Sequence, residues 1–286
     1  MKKEMIMGTL FSVIAACGFA SESGGIFSFS VGQFDVFMLV ESEREGNTNI
    51  IPGADEATLR RFIPAEGFRH TANAFLIKAP GQNILVDTGT GSGGVILERI
   101  KTLGVEPDKV DVVLLTHLHW DHFGSLGSDG KANFPNAKVY LSDREHEHFT
   151  RIAVNQRVLD VLEPYGANII TFEPNVLGST YRELLPGITA IANYGHTPGH
   201  TVFLVENSGA KLIIAGDFLH LALVQFPNPD ISATFDMDQS AAAASRRQIL
   251  DYAARNNIPV GGMHIVYPGI GNVQADGSGY RFIPAR

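Results

Sequence analysis

Short apolar runs recur along the chain, and most are followed either by a turn signal or by a stretch whose apolar residues repeat every three or four positions. Residues 21–35 read as a linker leading into a strand, with Gly24-Gly25 flexible and the run FSFSVGQFDVFMLV apolar. GNTNIIPGADEATLRRFIPAEGF is loop-like, with a short helix between Pro52 and Pro64, and is placed to lie over a pocket. AFLIKAPGQNILVDTG gives two strands, Ala74–Lys78 and Asn83–Asp87, joined by a Pro-Gly turn. GSGGVILERIKTLGV has the helical period, with Val95, Leu97, Ile100 and Leu103 on one side. Asp111–Leu115 is a buried strand. AKVYLS, ANIITF and ITAIANYG read as further strands, and DREHEHFTRIAVNQRVLDVLEPYG reads as helical. TVFLVENSGAKLIIAGD is a strand pair turning at Asn207-Ser208-Gly209. SAAAASRRQILDYAARNN is a strong helix that Ser240 can cap, with Ile249, Tyr252 and Ala253 on its inner face. PVGGMH is a short strand, and GYRFIP reads as a final edge strand.

Strands alternate with helices, yet hairpins stand among them. A plain doubly wound parallel sheet would contain few hairpins. The pattern therefore predicts an α/β fold of two mixed sheets stacked face to face, with helices outside. No linker or composition shift divides residues 25–286, so one domain is expected there. The chain has 286 residues, is 44% hydrophobic and 18% charged, and carries a formal charge of −8. That composition supplies a sizeable core, and the acidic balance with scattered Lys and Arg argues against nucleic acid as a partner.

The first twenty residues, MKKEMIMGTLFSVIAACGFA, are different. Lys2 and Lys3 precede an apolar run from Met5 to Ala16, which is the layout of an export signal and too short for a comfortable permanent span. Cys17, the single cysteine, follows Ile14-Ala15-Ala16 and resembles a bacterial lipobox. That resemblance implies lipid on Cys17 and attachment to a membrane, in the periplasm or at the cell surface, as in an outer-membrane lipoprotein. The alternative is simple cleavage after Ala20. A lone thiol excludes a disulfide framework within the chain.

The chemistry concentrates in THLHWDH, Thr116 to His122, directly after the buried strand. His117 and His119 are two apart, so on extended backbone both point the same way and reach one ion. Asp121 and His122 follow at once. Four ligand types on so short a loop suit two ions better than one tetrahedral ion. Further ligand types stand at the ends of other apolar runs: His196, Asp217 and His264. Any one of them alone is an ordinary turn residue; together they are hard to read as turns.

His117-Leu118-His119-Trp120-Asp121-His122 resembles the HxHxDH motif of the metallo-β-lactamase superfamily, and Asp87-Thr88-Gly89, GHTPGHT, Gly216-Asp217 and the late His264 follow in that family's order. GDFLHLALVQFPNP, FDMD, HIVYPGIG and GYRFIP look like the methyl parathion hydrolase branch, which lies near the N-acyl-homoserine lactonases that quench quorum sensing. The resemblance implies an αβ/βα four-layer sandwich of two mixed β-sheets with outer helices, and a homodimer. It implies two divalent ions per chain. One would sit on His117, His119 and His196, the other on Asp121, His122 and His264, with Asp217 bridging. Zinc is the default, and Co²⁺, Mn²⁺ or Fe²⁺ would also suit these ligands. No cysteine stands near Asp217, which counts against β-lactam hydrolysis.

The chemistry so implied is attack by a hydroxide shared between the ions. Asp121 and His220 are the catalytic candidates: Asp121 to orient the nucleophile or move a proton, His220 to touch the substrate oxygen. A small lactone or ester is the implied substrate, N-acyl-homoserine lactones first. A phosphotriesterase or arylesterase is the alternative, followed by a thioesterase or a surface lipoprotein without activity. Asp87 is the candidate to orient a ligand histidine, with Thr116 and Thr197 behind it. His200 is read as structural, His146 and His148 as an exposed helix face, and His70 is unassigned. Trp120 is read either as pocket wall or as packing. Phe62, Phe68, Phe123 and Phe226 are read as core packing by default, with two or three of them at most lining an apolar entrance.

Overall fold

The computed structural model describes residues 24–286 except Ser92. The expected export signal and Cys17 lie outside the described residues. In chain order the strands are β1 (Ile26–Val31), β2 (Phe34–Glu45), β3 (Arg69–Ala79), β4 (Gln82–Val86), β5 (Val112–Leu114), β6 (Gly127–Ser128), β7 (Lys131–Ala132) and β8 (Lys138–Ser142). They continue with β9 (Ile169–Phe172), β10 (Ile188–Ala192), β11 (Thr201–Asn207), β12 (Ala210–Ile214), β13 (Val260–Gly261), β14 (Ile270–Asp276) and β15 (Gly279–Pro284). The α-helices are α1 (Glu56–Phe62), α2 (Ile96–Thr102), α3 (Trp120–Phe123), α4 (Asp143–Glu147), α5 (Gln156–Leu162), α6 (Ala222–Gln225) and α7 (Gln239–Asn256).

One sheet runs β1-β2-β3-β4-β5-β8-β9, and the other runs β10-β11-β12-β13-β14-β15. Both are mixed: β4, β5, β8 and β9 are mutually parallel, as are β12 and β13, and the other pairs are antiparallel. Alternation of side chains explains the stacking. Val36, Met38, Phe75, Ile77, Val112 and Leu114 join Phe203, Val205, Leu212 and Ile214 in one core between the sheets. Their neighbours Leu39, Ala74, Leu76 and Val113 face the helices on one outside, with Ile96 and Ile100 of α2. Val202, Leu204 and Ile213 face Ile249, Leu250 and Ala253 of α7 on the other. Because successive strand residues point to opposite faces, both faces must be apolar in a four-layer sandwich. Each fully buried aliphatic side chain stabilises by about 1.5–3 kcal/mol. A one-residue slip would exchange the two faces of a strand at once, which fixes the register. The expected α/β sandwich with outer helices is what forms.

Several elements depart from the sequence reading. FSFSVGQFDVFMLV folds into the β1–β2 hairpin rather than one strand, because Gly32 adopts φ 60° at the turn. The run 143–166 is not one helix. Ala153 leaves helical geometry, and Asn155 starts α5 by accepting from the Arg157 amide. Asp238, not Ser240, caps α7: its carboxylate accepts from the Ala241 amide, and Ser240 donates to that same carboxylate. The strand β14 pairs with β15, so GYRFIP is indeed the edge strand but of a hairpin the sequence reading lacks.

Candidate metal centre

The parallel strands aim their C-terminal ends at one place. Val86 of β4 pairs with Leu114 of β5, and Asp87 and Thr116 stand just beyond them. In the second sheet Ile214 pairs with Gly261, so Asp217 and His264 each lie three residues past a paired position. His196 follows the end of β10. Loops after strands are free of the ladder, so they carry the ligand types while the strands fix where they meet.

All seven side chains expected at the centre are brought together, and His220 joins them. Asp217 Oδ2 lies 3.0 Å from His264 Nε2, 3.2 Å from His220 Nε2, 3.3 Å from His122 Nε2, 3.4 Å from His196 Nε2 and 3.7 Å from His117 Nε2. His196 Nε2 is 3.2 Å from His117 Nε2 and 2.9 Å from His119 Nδ1. Asp121 stands 3.6 Å from His122 Nε2 and 3.8 Å from His264 Nε2, with a third of its side chain exposed. Four overlapping groups of potential ligands result; two are the expected sets, His117, His119, His196 and Asp217, and Asp121, His122 and His264, and the others are His196, His220 and Asp236, and Asp217, His220 and His264.

The donors fit a divalent cation. Ligands about 2.0–2.1 Å from a tetrahedral ion lie roughly 3.3 Å from one another, close to the spacings here. His196 donates from Nδ1 to Asp236, and His117 Nδ1 meets the Thr116 hydroxyl, so two Nε2 lone pairs face each other. A cation between them turns that repulsion into attraction. Among the described residues, Asp217 Oδ1 and His122 Nε2 are buried without a hydrogen-bond partner, as ligand atoms awaiting a metal would be.

Each ring is held from behind. His122 Nδ1 lies 2.7 Å from Asp87, which also accepts the amide and hydroxyl of Thr116. Asp87 thus does what the sequence suggested. His196 rests on Asp236 and His264 Nδ1 donates to the Thr71 carbonyl, 2.6 Å away. His200 is structural, as expected: its Nδ1 donates to the Asn193 carbonyl and its Nε2 accepts the Asp217 amide. Such partners fix the tautomer and orientation of a ligand ring. The sequence reading missed Asp236, Arg246, Glu145 and Asn73. Arg246 donates to Asp236 and to the carbonyls of Phe218, Pro229 and Ile231, and Asn73 donates to the carbonyls of Gly262 and Ile265 beside His264. For Arg246 a signal existed: it falls three residues before Ile249, on the apolar face of α7.

Burial disfavours charge on His122, yet Asp217, Asp121 and Asp87 hold its pKa well above the ordinary value. Burial would raise Asp217, but His122 and His264 hold it well below the carboxylate range. His196 goes the other way, pushed by burial to about 3 despite Asp236 and Asp217. The centre is therefore a carboxylate ringed by neutral and charged imidazoles, the state from which protons are displaced by a cation.

The four aromatics follow the core-packing default. Phe123 and Phe226 are fully packed core residues. Phe62 and Phe68 pack with Ile51, Leu221 and Val224 beneath the 46–68 segment. The exposed apolar residues near the centre are instead Trp120, Leu223, Phe235, Met237 and Val266. Trp120 packs: its ring stands edge-on to Phe123 under the Arg157 guanidinium, with 39% of it exposed. His146 and His148 are half-buried rather than an exposed face, and His70 is buried with its ring 4.9 Å from that of His264.

The Metallo-beta-lactamase superfamily matches residues 67–257. Among curated relatives, YobT of Bacillus subtilis, an uncharacterized protein, is 31% identical over 52% of this chain and 62% of its own length. The chain spans between about a fifth and three fifths of the first curated relatives it matches, which include ribonucleases and N-acyl homoserine lactonases. Among solved structures, the hydrolase AbOPH of the beta lactamase superfamily is 28% identical at TM-score 0.83, covering 93% of this chain and 99% of its own. AidC, a dizinc quorum-quenching lactonase, shares the fold at TM-score 0.80 and 24% identity, over 92% of this chain and 98% of its own.

Proposed function

Since this chain belongs to the metallo-beta-lactamase superfamily, we propose that it is a dinuclear metal-dependent hydrolase that opens small lactones, N-acyl-homoserine lactones first among them. The observation that carries this is Asp217, whose Oδ2 faces five imidazoles while its buried Oδ1 has no hydrogen-bond partner among the described residues. His117, His119 and His196 would hold one ion, Asp121, His122 and His264 the other, and Asp217 both; zinc is the default. When bound, such ions supply Lewis acidity and bring the pKa of water near neutrality.

The chain's own residues do the rest. Asp121, part-exposed at the mouth, accepts and passes on a proton. His220 Nε2 points into the centre and donates a hydrogen bond to the oxygen of a substrate held there; its ring is fixed between His264 and Phe235, at 4.9 and 5.4 Å. Trp120, Leu223, Phe235, Met237 and Val266 supply apolar surface for an acyl chain. Relatives named N-acyl homoserine lactonase favour the same substrate class. A homodimer, tested by light scattering, and export with lipid on Cys17 complete the proposal. Among the described residues no helix is long and apolar enough to cross a membrane. Cys17→Ser is expected to abolish partitioning into detergent.

The test is metal analysis with kcat/KM on a lactone panel of graded acyl length, beside an aryl phosphotriester, an aryl ester and a thioester. Lactones are expected to be fastest. A fast triester with lactones at background would replace this reading by the phosphotriesterase one. Less than one ion per chain, with no hydrolysis after Zn²⁺, Co²⁺ or Mn²⁺ is restored, would overturn both.

A further inference from the structure

Ser142-Asp143-Arg144-Glu145 has the sequence of a reciprocal helix cap, in which the glutamate returns to the amide of the serine. Half of that cap forms: Ser142 Oγ accepts from the Glu145 amide at 3.4 Å. The carboxylate goes elsewhere. Glu145 is 1% exposed, and its oxygens accept from the Leu118 amide at 2.8 Å, the Thr197 hydroxyl at 2.8 Å and the Gly199 amide at 2.9 Å. Leu118 lies between His117 and His119, and Thr197 follows His196. One buried carboxylate thus ties the loop after β5 to the loop after β10, at the residues flanking three ligand histidines.

We propose that Glu145 is a positioning residue for one of the two ions, the one held by His117, His119 and His196. The inference rests on the metal-centre reading above. Burying a carboxylate that forms no ion pair with Arg or Lys among the described residues is costly, and a helix cap can be made without it. What the carboxylate gains is a fixed distance between two loops whose backbones meet through the Thr201 amide on the Thr116 carbonyl, 2.9 Å away. Ser142 and Glu145 sit against Gly199 so closely that a Cβ at Gly199 would lie 2.3 Å from the Glu145 nitrogen. The contact is therefore built from both sides. Both oxygens act only as acceptors, so Glu145→Gln keeps the shape but turns one donor–acceptor contact into donor against donor. In the other group, His122 is held by Asp87 and His264 by the Thr71 carbonyl instead.

The experiment measures Zn²⁺ affinity by competition with a chromogenic chelator in two backgrounds. His264→Ala leaves the His117, His119, His196 group; His119→Ala leaves the Asp121, His122, His264 group. Adding Glu145→Gln is expected to weaken the remaining ion about 10–100-fold in the first background, the usual effect of losing a partner behind a ligand, and to leave the second unchanged within error. Thr197→Val, which removes one of the three donors and spares the carboxylate, is expected to show the same selectivity at smaller size. Metal-free melting temperature and circular dichroism confirm the fold of each. Equal losses in both backgrounds, no loss in the first, or a loss that only follows the melting temperature would overturn the role of Glu145. If the His264→Ala parent itself binds no zinc, the metal centre fails first, and this inference with it.

Discussion

Asp217 and His220 stand 3.2 Å apart in the same centre, yet replacing them is expected to do different things. Asp217→Asn removes the one charge that faces His117, His122, His196 and His264 together. Zinc content and kcat are expected to fall together, with affinity down roughly 100-fold; full occupancy by elemental analysis would contradict the shared-ligand role. His220 Nδ1 is buried without a hydrogen-bond partner among the described residues, and its Nε2 turns to Asp217. His220→Ala is expected to keep the zinc and lose about 10²–10⁴-fold in kcat, the scale of a proton-donating group. Unchanged turnover would return it to the pocket wall. At this scale the ligands were legible because each is a metal-binding type placed at the end of an apolar run. Glu145 and Asp236 were not. The donors to the Glu145 carboxylate lie 27 to 54 residues away and the histidine that Asp236 orients lies 40 away, and nothing local says where a carboxylate will point.

Among the elements, α7 and the segment 218–238 form one unit around the Arg246 guanidinium. The group is buried, and it satisfies three carbonyls of that segment as well as Asp236. The same segment carries His220 and Phe235, and Asp236 orients His196. Arg246→Met would take the guanidinium from Asp236, which keeps the Ala233 amide and His196, and from those carbonyls, of which Ile231 keeps Gln225. Breaking a buried pair from one side costs about 3–5 kcal/mol, so a loss of that order in denaturant unfolding is expected, with KM raised because the pocket wall loosens. Arg246→Lys is expected to recover little, since an ammonium is a point donor and cannot span the same fork of carbonyls. Wild-type KM in a destabilised Arg246→Met would separate α7 from the substrate wall. The sheets themselves were legible, because period-two alternation with both faces apolar specifies a strand buried on two sides. The elements that went wrong did so for local reasons. β14 reads IGNVQAD, too polar beyond Val273 to stand out, and it forms because β15 folds back on it. The break at Ala153 interrupts a helical period that the pattern alone carries through.

Over the whole molecule, the buried histidines set an acid limit. In the metal-free protein burial holds His70 and His200 at about 4 and His196 at about 3, below the ordinary value of 6.5. Above pH 6.5 these groups are neutral in both folded and unfolded chains and contribute no pH dependence. As pH falls below 6.5 the unfolded chain takes up protons that the folded chain refuses, so stability drops until the folded values are reached. At pH 5 each such histidine costs on the order of 2 kcal/mol. His122 and His264 are raised, so below 6.5 they are protonated in both states and leave that slope alone. Metal binding requires His196 neutral and His122 and His264 deprotonated, so the holoprotein adds proton competition of the same sign. The melting temperature of the chelator-treated protein is expected to fall between pH 6.5 and 4, and that of the zinc-loaded protein to fall further as the ions leave. His70→Phe tests the source. His70 Nε2 has no hydrogen-bond partner among the described residues, so an apolar ring of similar size removes one titrating group without removing a hydrogen bond from that atom. A shallower acid slope in that variant is expected. An identical slope would show that the acid sensitivity arises outside this cluster.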